Sequence, residues 1–129
     1  MFNWNKLGKV FTPQAVTGRP WLQEFAQAPA TLVLEDVVRV YFSCRPQPDS
    51  NGQYVSYSAY VDLDRADLFK IRDVARQPIL KLGGLGEFDE FGTYPVSVIV
   101  AKVKTSSFSC GGNLQGSATL FSSIVSPKA

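Results

Sequence analysis

Alternation of apolar and polar residues is the dominant signal along this chain. Val38, Val40, Phe42 and Cys44 fall on one side of an extended segment, and Arg39, Tyr41, Ser43 and Arg45 on the other. A period of two predicts a half-buried strand over 38–45. The apolar run Ala30–Leu34 precedes it, and Glu35-Asp36 sits between them as a two-residue turn, so the two segments predict a tight hairpin. Pro46-Gln47-Pro48-Asp49-Ser50-Asn51-Gly52 is dense in turn formers and closes the second strand. Residues 53–61 alternate again and carry Tyr54, Tyr57 and Tyr60, with Tyr57 facing opposite to the other two. Asp62 to Asp67 predicts a loop or a single helical turn, and 69–74 a fourth strand. The 21–26 segment is left open between helix and strand.

Four consecutive strands with short links predict an antiparallel meander of propeller-blade size. From Lys81 to Pro95 the pattern changes. Gly83, Gly84, Gly86 and Gly92 flank Glu87-Phe88-Asp89-Glu90-Phe91, which predicts a structured loop. Val96–Ala101 then reads as a buried-type strand opening a second meander, and Thr105–Ala129 is rich in serine. The expected organisation is a single all-β domain: an N-terminal segment (1–28), a first blade (29–80), a glycine-rich loop (81–95), a strand of a second blade (96–103) and a tail (104–129).

Composition narrows the chemistry. With no histidine, a Ser-His-Asp triad, a Cys-His pair and most zinc sites are excluded. Cys44 and Cys110 have no metal-ligand spacing, and both free thiols and a Cys44–Cys110 bridge stay open. No cofactor is expected. A net charge of +2 spread along 129 residues makes no case for nucleic acid. No apolar run is long enough for a membrane-spanning helix. The opening Met1–Lys6 lacks the pattern of a secretory leader, which favours the cytoplasm.

Several motifs together resemble a known family. Trp4-x-Lys6-Leu7-Gly8-Lys9-Val10-Phe11 comes first, followed by Arg39-Val40-Tyr41-Phe42-Ser43-x-Arg45, Val61-Asp62-Leu63-Asp64 and Pro78-Ile79-Leu80. Leu85-Gly86-x-Phe88-Asp89-x-x-Gly92-x-x-Pro95-x-Ser97-Val98 completes the set. In this order, over residues 4 to 101, they look like the N-terminal part of five-bladed β-propellers related to glycoside hydrolases, the arabinanase, levansucrase and invertase-like superfamily. The resemblance implies an axial site with carboxylates drawn from several blades, in a protein of some three hundred residues. This chain has room for one four-stranded blade and part of the next, an incomplete propeller.

The resemblance ends near residue 101. Serine, phenylalanine and cysteine codons that begin with T place that base in the middle of a codon in the shifted frame. A middle T encodes only apolar residues, so the shifted frame can carry the apolar strand expected next. A frameshift is the expectation, an ordinary serine-rich terminus the alternative, and the gene's nucleotide sequence distinguishes them.

For chemistry, Asp89 is the position the resemblance nominates as a catalytic or former catalytic carboxylate. Glycoside cleavage uses two carboxyl groups about 5 to 9.5 Å apart. The first-blade segment 25–31 supplies no acid, and Glu87 and Glu90 share the loop of Asp89. A non-catalytic relative with residual carbohydrate affinity is therefore expected, against a glycosidase rebuilt by oligomerisation and a protein-interaction module. Arg45, Glu87 and Asp62 are the candidate substrate-binding residues. Arg45 could instead pair with Asp49, and Asp62 and Asp64 could cap turns. Trp4 and Trp21 read as packing anchors. The apolar 96–103 strand, without charge or bulge signals, predicts a homodimer or higher oligomer through that edge.

Overall fold

The computed structural model describes residues 1–100, 105–111 and 119–125 of the chain. It is all-β apart from a 3₁₀ turn at Pro13–Ala15. Strands β1 (Glu24–Val33), β2 (Val37–Arg45), β3 (Tyr57–Asp64) and β4 (Ile71–Val74) form a four-stranded antiparallel sheet in chain order. β5 (Thr93–Val100), β6 (Thr105–Gly111) and β7 (Thr119–Val125) form a second, three-stranded antiparallel sheet.

The predicted alternation becomes cross-strand pairing. Val38, Val40, Phe42 and Cys44 of β2 lie opposite Leu63, Val61, Ala59 and Tyr57 of β3. On the other face Arg39, Tyr41 and Ser43 oppose Asp62, Tyr60 and Ser58. Leu22, Phe42, Cys44, Ala59, Val61, Leu63, Val74 and Ala75 make the buried core, with Val10, Phe11, Val16 and Trp21 of the N-terminal segment packed over it. Thus the 10–22 segment covers the apolar face, while the start of β5 meets the polar face. The Glu35-Asp36 turn closes the first hairpin through Leu34 N–H donating to Val37 O (2.9 Å).

Several expectations need correction. The segment left open at 21–26 runs into β1, which starts at Glu24 rather than Ala30. Its early part hides its period because Phe25 (φ 61°) and Ala28 (φ 49°) are left-handed and the register slips twice before Ala30. β3 continues through Asp62–Asp64, expected as loop, because Val37 and Arg39 supply ladder partners. β2 is buried on both faces between Tyr41 and Cys44, Ser43 included. Trp21 packs edge-on against Tyr57, but Trp4 is 92% exposed and anchors nothing in the described residues.

The expected strand at 96–103 begins at Thr93, and its residues 101–103 lie outside the described ones. β6 pairs with β5 from Thr93↔Gly111 to Val100↔Thr105, so the serine-rich tail itself covers one edge of this strand. That edge is not open to a second copy.

Cys44 is a free thiol with no exposed surface. Its S–H lies 3.5 Å from Tyr57 O and 3.8 Å from Trp21 O. Burial pushes the thiol up from the ordinary 9.0 to about 12. The folded state holds this proton more tightly than the unfolded one, so its contribution to stability is complete below pH 9 and is lost as pH rises towards 12. Alkylation at pH 8 should leave Cys44 intact in native protein and modify it after denaturation, as read by peptide mass mapping. Rapid native labelling of Cys44 would contradict this burial.

Candidate functional site

The polar face of the first sheet meets the end of the glycine-rich loop at a cluster centred on Arg45. Arg45 ends β2, where alternation aims it away from the core. Its Nε donates to Ser56 Oγ (3.2 Å) and its Nη2 to Tyr94 OH (2.7 Å). Ser56 Oγ in turn donates to Tyr94 OH (3.0 Å). The guanidinium carbon lies 5.3 Å from the ring centres of both Phe25 and Tyr54, which meet each other edge-to-face at 6.3 Å. Cation–π attraction of this kind is strongest where the cation is partly desolvated, as Arg45 is.

Each neighbour is placed by a local device. Gly92 (φ 123°) lets the loop backbone run against Ser56, whose N–H donates to Phe91 O (2.9 Å) while Thr93 N–H donates to Ser56 O (3.2 Å). Ser58 and Thr93 exchange a buried hydroxyl hydrogen bond (2.8 Å) one step further along. This zipper delivers Tyr94 to Arg45 from 49 residues away. Phe25 comes from the irregular start of β1. A non-glycine residue in the left-handed region costs about 1–3 kcal/mol, and such outliers cluster at functional sites.

Electrostatically the cluster favours negative charge. Burial pushes the Tyr94 phenol up, but the hydrogen bonds from Ser56 and Arg45, with the guanidinium's charge, outweigh burial and hold it below the ordinary tyrosine range. On the same face, Ser43 Oγ is the buried side-chain polar atom without a hydrogen-bond partner among the described residues. An open depression of about 500 Å³ adjoins Phe25, bounded by Lys9, Phe11, Gln14 and Glu24 among others. That volume is within the range of small-molecule sites.

The other sequence candidates lie elsewhere. Asp62 is 6% exposed and accepts both Nε (2.7 Å) and Nη2 (2.8 Å) of Arg39, a bidentate pair that holds the sheet rather than a turn cap. Arg39 is raised further above its usual range, first by the Asp62 hydrogen bond, so it stays charged. Asp64 is the turn cap, accepting from Ala66 and Asp67 N–H, which lower its carboxyl with help from Arg72. Asp49 accepts from Asn51 and Gln53 N–H (both 2.8 Å) within its own loop and does not pair with Arg45.

Asp89 and Glu87 converge on the Cα of Gly83, where a side chain would collide with both carboxylates. Glu87 accepts from Gly84 N–H (2.7 Å) and Glu90 from Gly86 N–H (2.8 Å), so both stabilise the loop that carries Asp89. Among the described residues no three His, Cys, Asp or Glu side chains gather as metal ligands. Of the sequence candidates, Arg45 is the one around which a polar and aromatic cluster assembles. Phe25, Ser56 and Tyr94 were missed. The tyrosine between Gly92 and Pro95 at the loop's exit was the available signal for the last of them.

No family model and no solved structure matches this chain. It is 35% identical over 99 residues to two uncharacterised proteins of Mycobacterium tuberculosis, MT1551 of strain CDC 1551 and Rv1502 of strain H37Rv. Those residues are 76% of this chain and 31% of each relative. The chain therefore spans about a third of the length of the curated relatives it matches, which run to about 320 residues (99 divided by 0.31). No helix among the described residues is long and apolar enough to cross a membrane.

Proposed function

We propose that this chain is the first part of a glycoside hydrolase-like β-propeller and that it binds carbohydrate without cleaving it. The observation that carries the reading is Arg45 set against the rings of Phe25 and Tyr54 and hydrogen-bonded to Tyr94. Aromatic faces suit the C–H surfaces of sugar rings, while guanidinium and phenol donors suit ring hydroxyls. The propeller part is supported by spacing. The second sheet starts about 70 residues after the first, from Glu24 to Thr93, and relatives of about 320 residues have room for between four and five units of that length. Cleavage is disfavoured because Glu87 and Glu90 are engaged by their own loop and Asp62 by Arg39.

The test is titration of the protein with a panel of neutral and acidic oligosaccharides, alongside a panel of aryl-glycosides. Saturable sugar binding without turnover is expected, with Phe25→Ala and Tyr54→Ala each weakening it about fivefold, close to 1 kcal/mol. Turnover would move the protein to the glycosidase class, and failure of every sugar would favour an interaction module.

Self-association remains part of the proposal, through the edge of β5 that faces away from β6 and through a second surface. Phe2 (91% exposed), Trp4 and Leu7 (70%) stand out on an N-terminal segment without regular structure. Such a run of large apolar groups suits contact with a second copy. Light scattering at micromolar concentration should give a species of at least twice 14.2 kDa, reduced towards monomer in Trp4→Ser/Leu7→Ser protein. A 14.2 kDa wild-type species would remove this part of the proposal.

A further inference from the structure

The charge state of Arg45 narrows the class of sugar. We infer that the Arg45 cluster selects sugars bearing a carboxylate, uronic acid units, over neutral ones; the inference rests on the carbohydrate reading above.

The reasoning starts from donor accounting. A guanidinium carries five N–H groups. Nε and one Nη2 hydrogen are taken by Ser56 and Tyr94, and the described hydrogen bonds leave the other three unused. Those three include the pair on the outer edge of the fork, whose two parallel N–H vectors match the two oxygens of a carboxylate. Tyr94 OH accepts from both Arg45 and Ser56, so its own hydrogen is available to a third group. The cluster therefore offers donors without a matching acceptor.

Among the described residues no carboxylate forms an ion pair with Arg45. The ion pairs among the described residues are Arg39–Asp62 and Arg72–Asp64. Glu24 lies directly opposite Arg45 across the β1–β2 ladder, yet its Oε1 accepts from Gln47 Nε2 (2.8 Å). Asp49, the nearest acid in sequence, is taken up by its own turn. A half-buried cation set against two aromatic rings and outside both ion pairs among the described residues is one that a ligand carboxylate can pair with. A single unit charge and a planar fork fit a carboxylate better than a phosphate, which carries about −1.5 to −2. Phe25 and Tyr54 then supply the apolar walls for the sugar ring.

The experiment is calorimetric titration with trigalacturonate and a hyaluronan tetrasaccharide, each against its carboxyl methyl ester. A 6-O-sulfated neutral trisaccharide and sodium acetate are run alongside, all at one low ionic strength. The acids are expected to bind at least tenfold more tightly than their esters. Arg45→Gln should abolish that difference, Arg45→Lys should recover only part of it, and Phe25→Ala should weaken acid and ester alike. Thermal unfolding of each variant establishes that it is folded. Equal affinity for acid and ester overturns the acidic preference and leaves carbohydrate binding standing. Binding of none of the oligosaccharides overturns the carbohydrate reading itself. Tighter binding of the sulfated sugar, or full competition by acetate alone, overturns the assignment to uronic acids.

Discussion

Gly92→Ala is expected to destabilise the fold by about 2–5 kcal/mol and to abolish ligand binding at the Arg45 cluster. A Cβ at this position would stand 2.6 Å from Ser56 N and 2.7 Å from Ser56 C, with Ser56 O nearer still. All three are backbone atoms held by the isolated parallel bridge between Ser56 and Gly92, so they cannot swing aside as a side chain would. The residue also holds φ 123°, where an L-residue is strained whatever the space. The consequences reach beyond stability, because the same approach carries Thr93 onto Ser58 and Tyr94 onto Arg45. Gly52→Ala is the control. Gly52 has positive φ (77°) but nothing within 4 Å of its would-be Cβ, so about 1–2 kcal/mol and intact binding are expected. Urea unfolding and sugar titration on both variants decide the point. If Gly92→Ala behaves like Gly52→Ala, the close approach is not what positions Tyr94.

Phe42→Ala should cost about 3–5 kcal/mol, the range for deleting a buried aromatic side chain. Phe42 is 1% exposed, lies opposite Ala59 across the β2–β3 ladder and meets the Phe11 ring at 5.2 Å. Truncation would leave a void between the sheet and the N-terminal segment. The small partner Ala59 cannot fill it. Because Phe42 and Arg45 point to opposite faces of β2, the fraction of the variant that remains folded should bind ligand normally. This separates loss of fold from loss of site. Val33→Ala, at a position 60% exposed, is expected to change stability by less than about 0.5 kcal/mol. Comparable losses in the two variants would place the core elsewhere than on the Val40–Phe42–Cys44 face.

The alternating segments were legible because a strand's period is written locally. Residues 38–45 declared two faces before any partner was known, and β3 matched them residue for residue. The Glu35-Asp36 turn and the opposition of Tyr57 to Tyr60 followed from the same rule. Arg45 was identifiable as a candidate because it ends the most regular strand on its polar side. The start of β1 was not legible, since two left-handed residues and two register shifts erase the period that the reading depends on. Nor were the strands of the serine-rich tail, whose composition lacks the β-branched and aromatic run that marks β5.

What the sequence alone determined is an all-β chain with a four-stranded meander, an apolar face centred on Phe42, and a glycine-rich loop that must bend sharply. Each depends on contacts between near neighbours or on the conformational freedom of single residues. Tertiary structure decided which polar residues meet. Arg45 had Asp49 four positions away and took Ser56 and Tyr94 instead, 11 and 49 residues distant, because Asp49 was already holding its own turn. Asp62 became the partner of Arg39 through the β2–β3 register, while its near neighbour Asp64 capped a turn. Spacing along a chain records what a residue can do. Which of its possible partners it reaches depends on the close approach of Gly92 to Ser56, and that approach exists only once the loop has folded back onto the sheet.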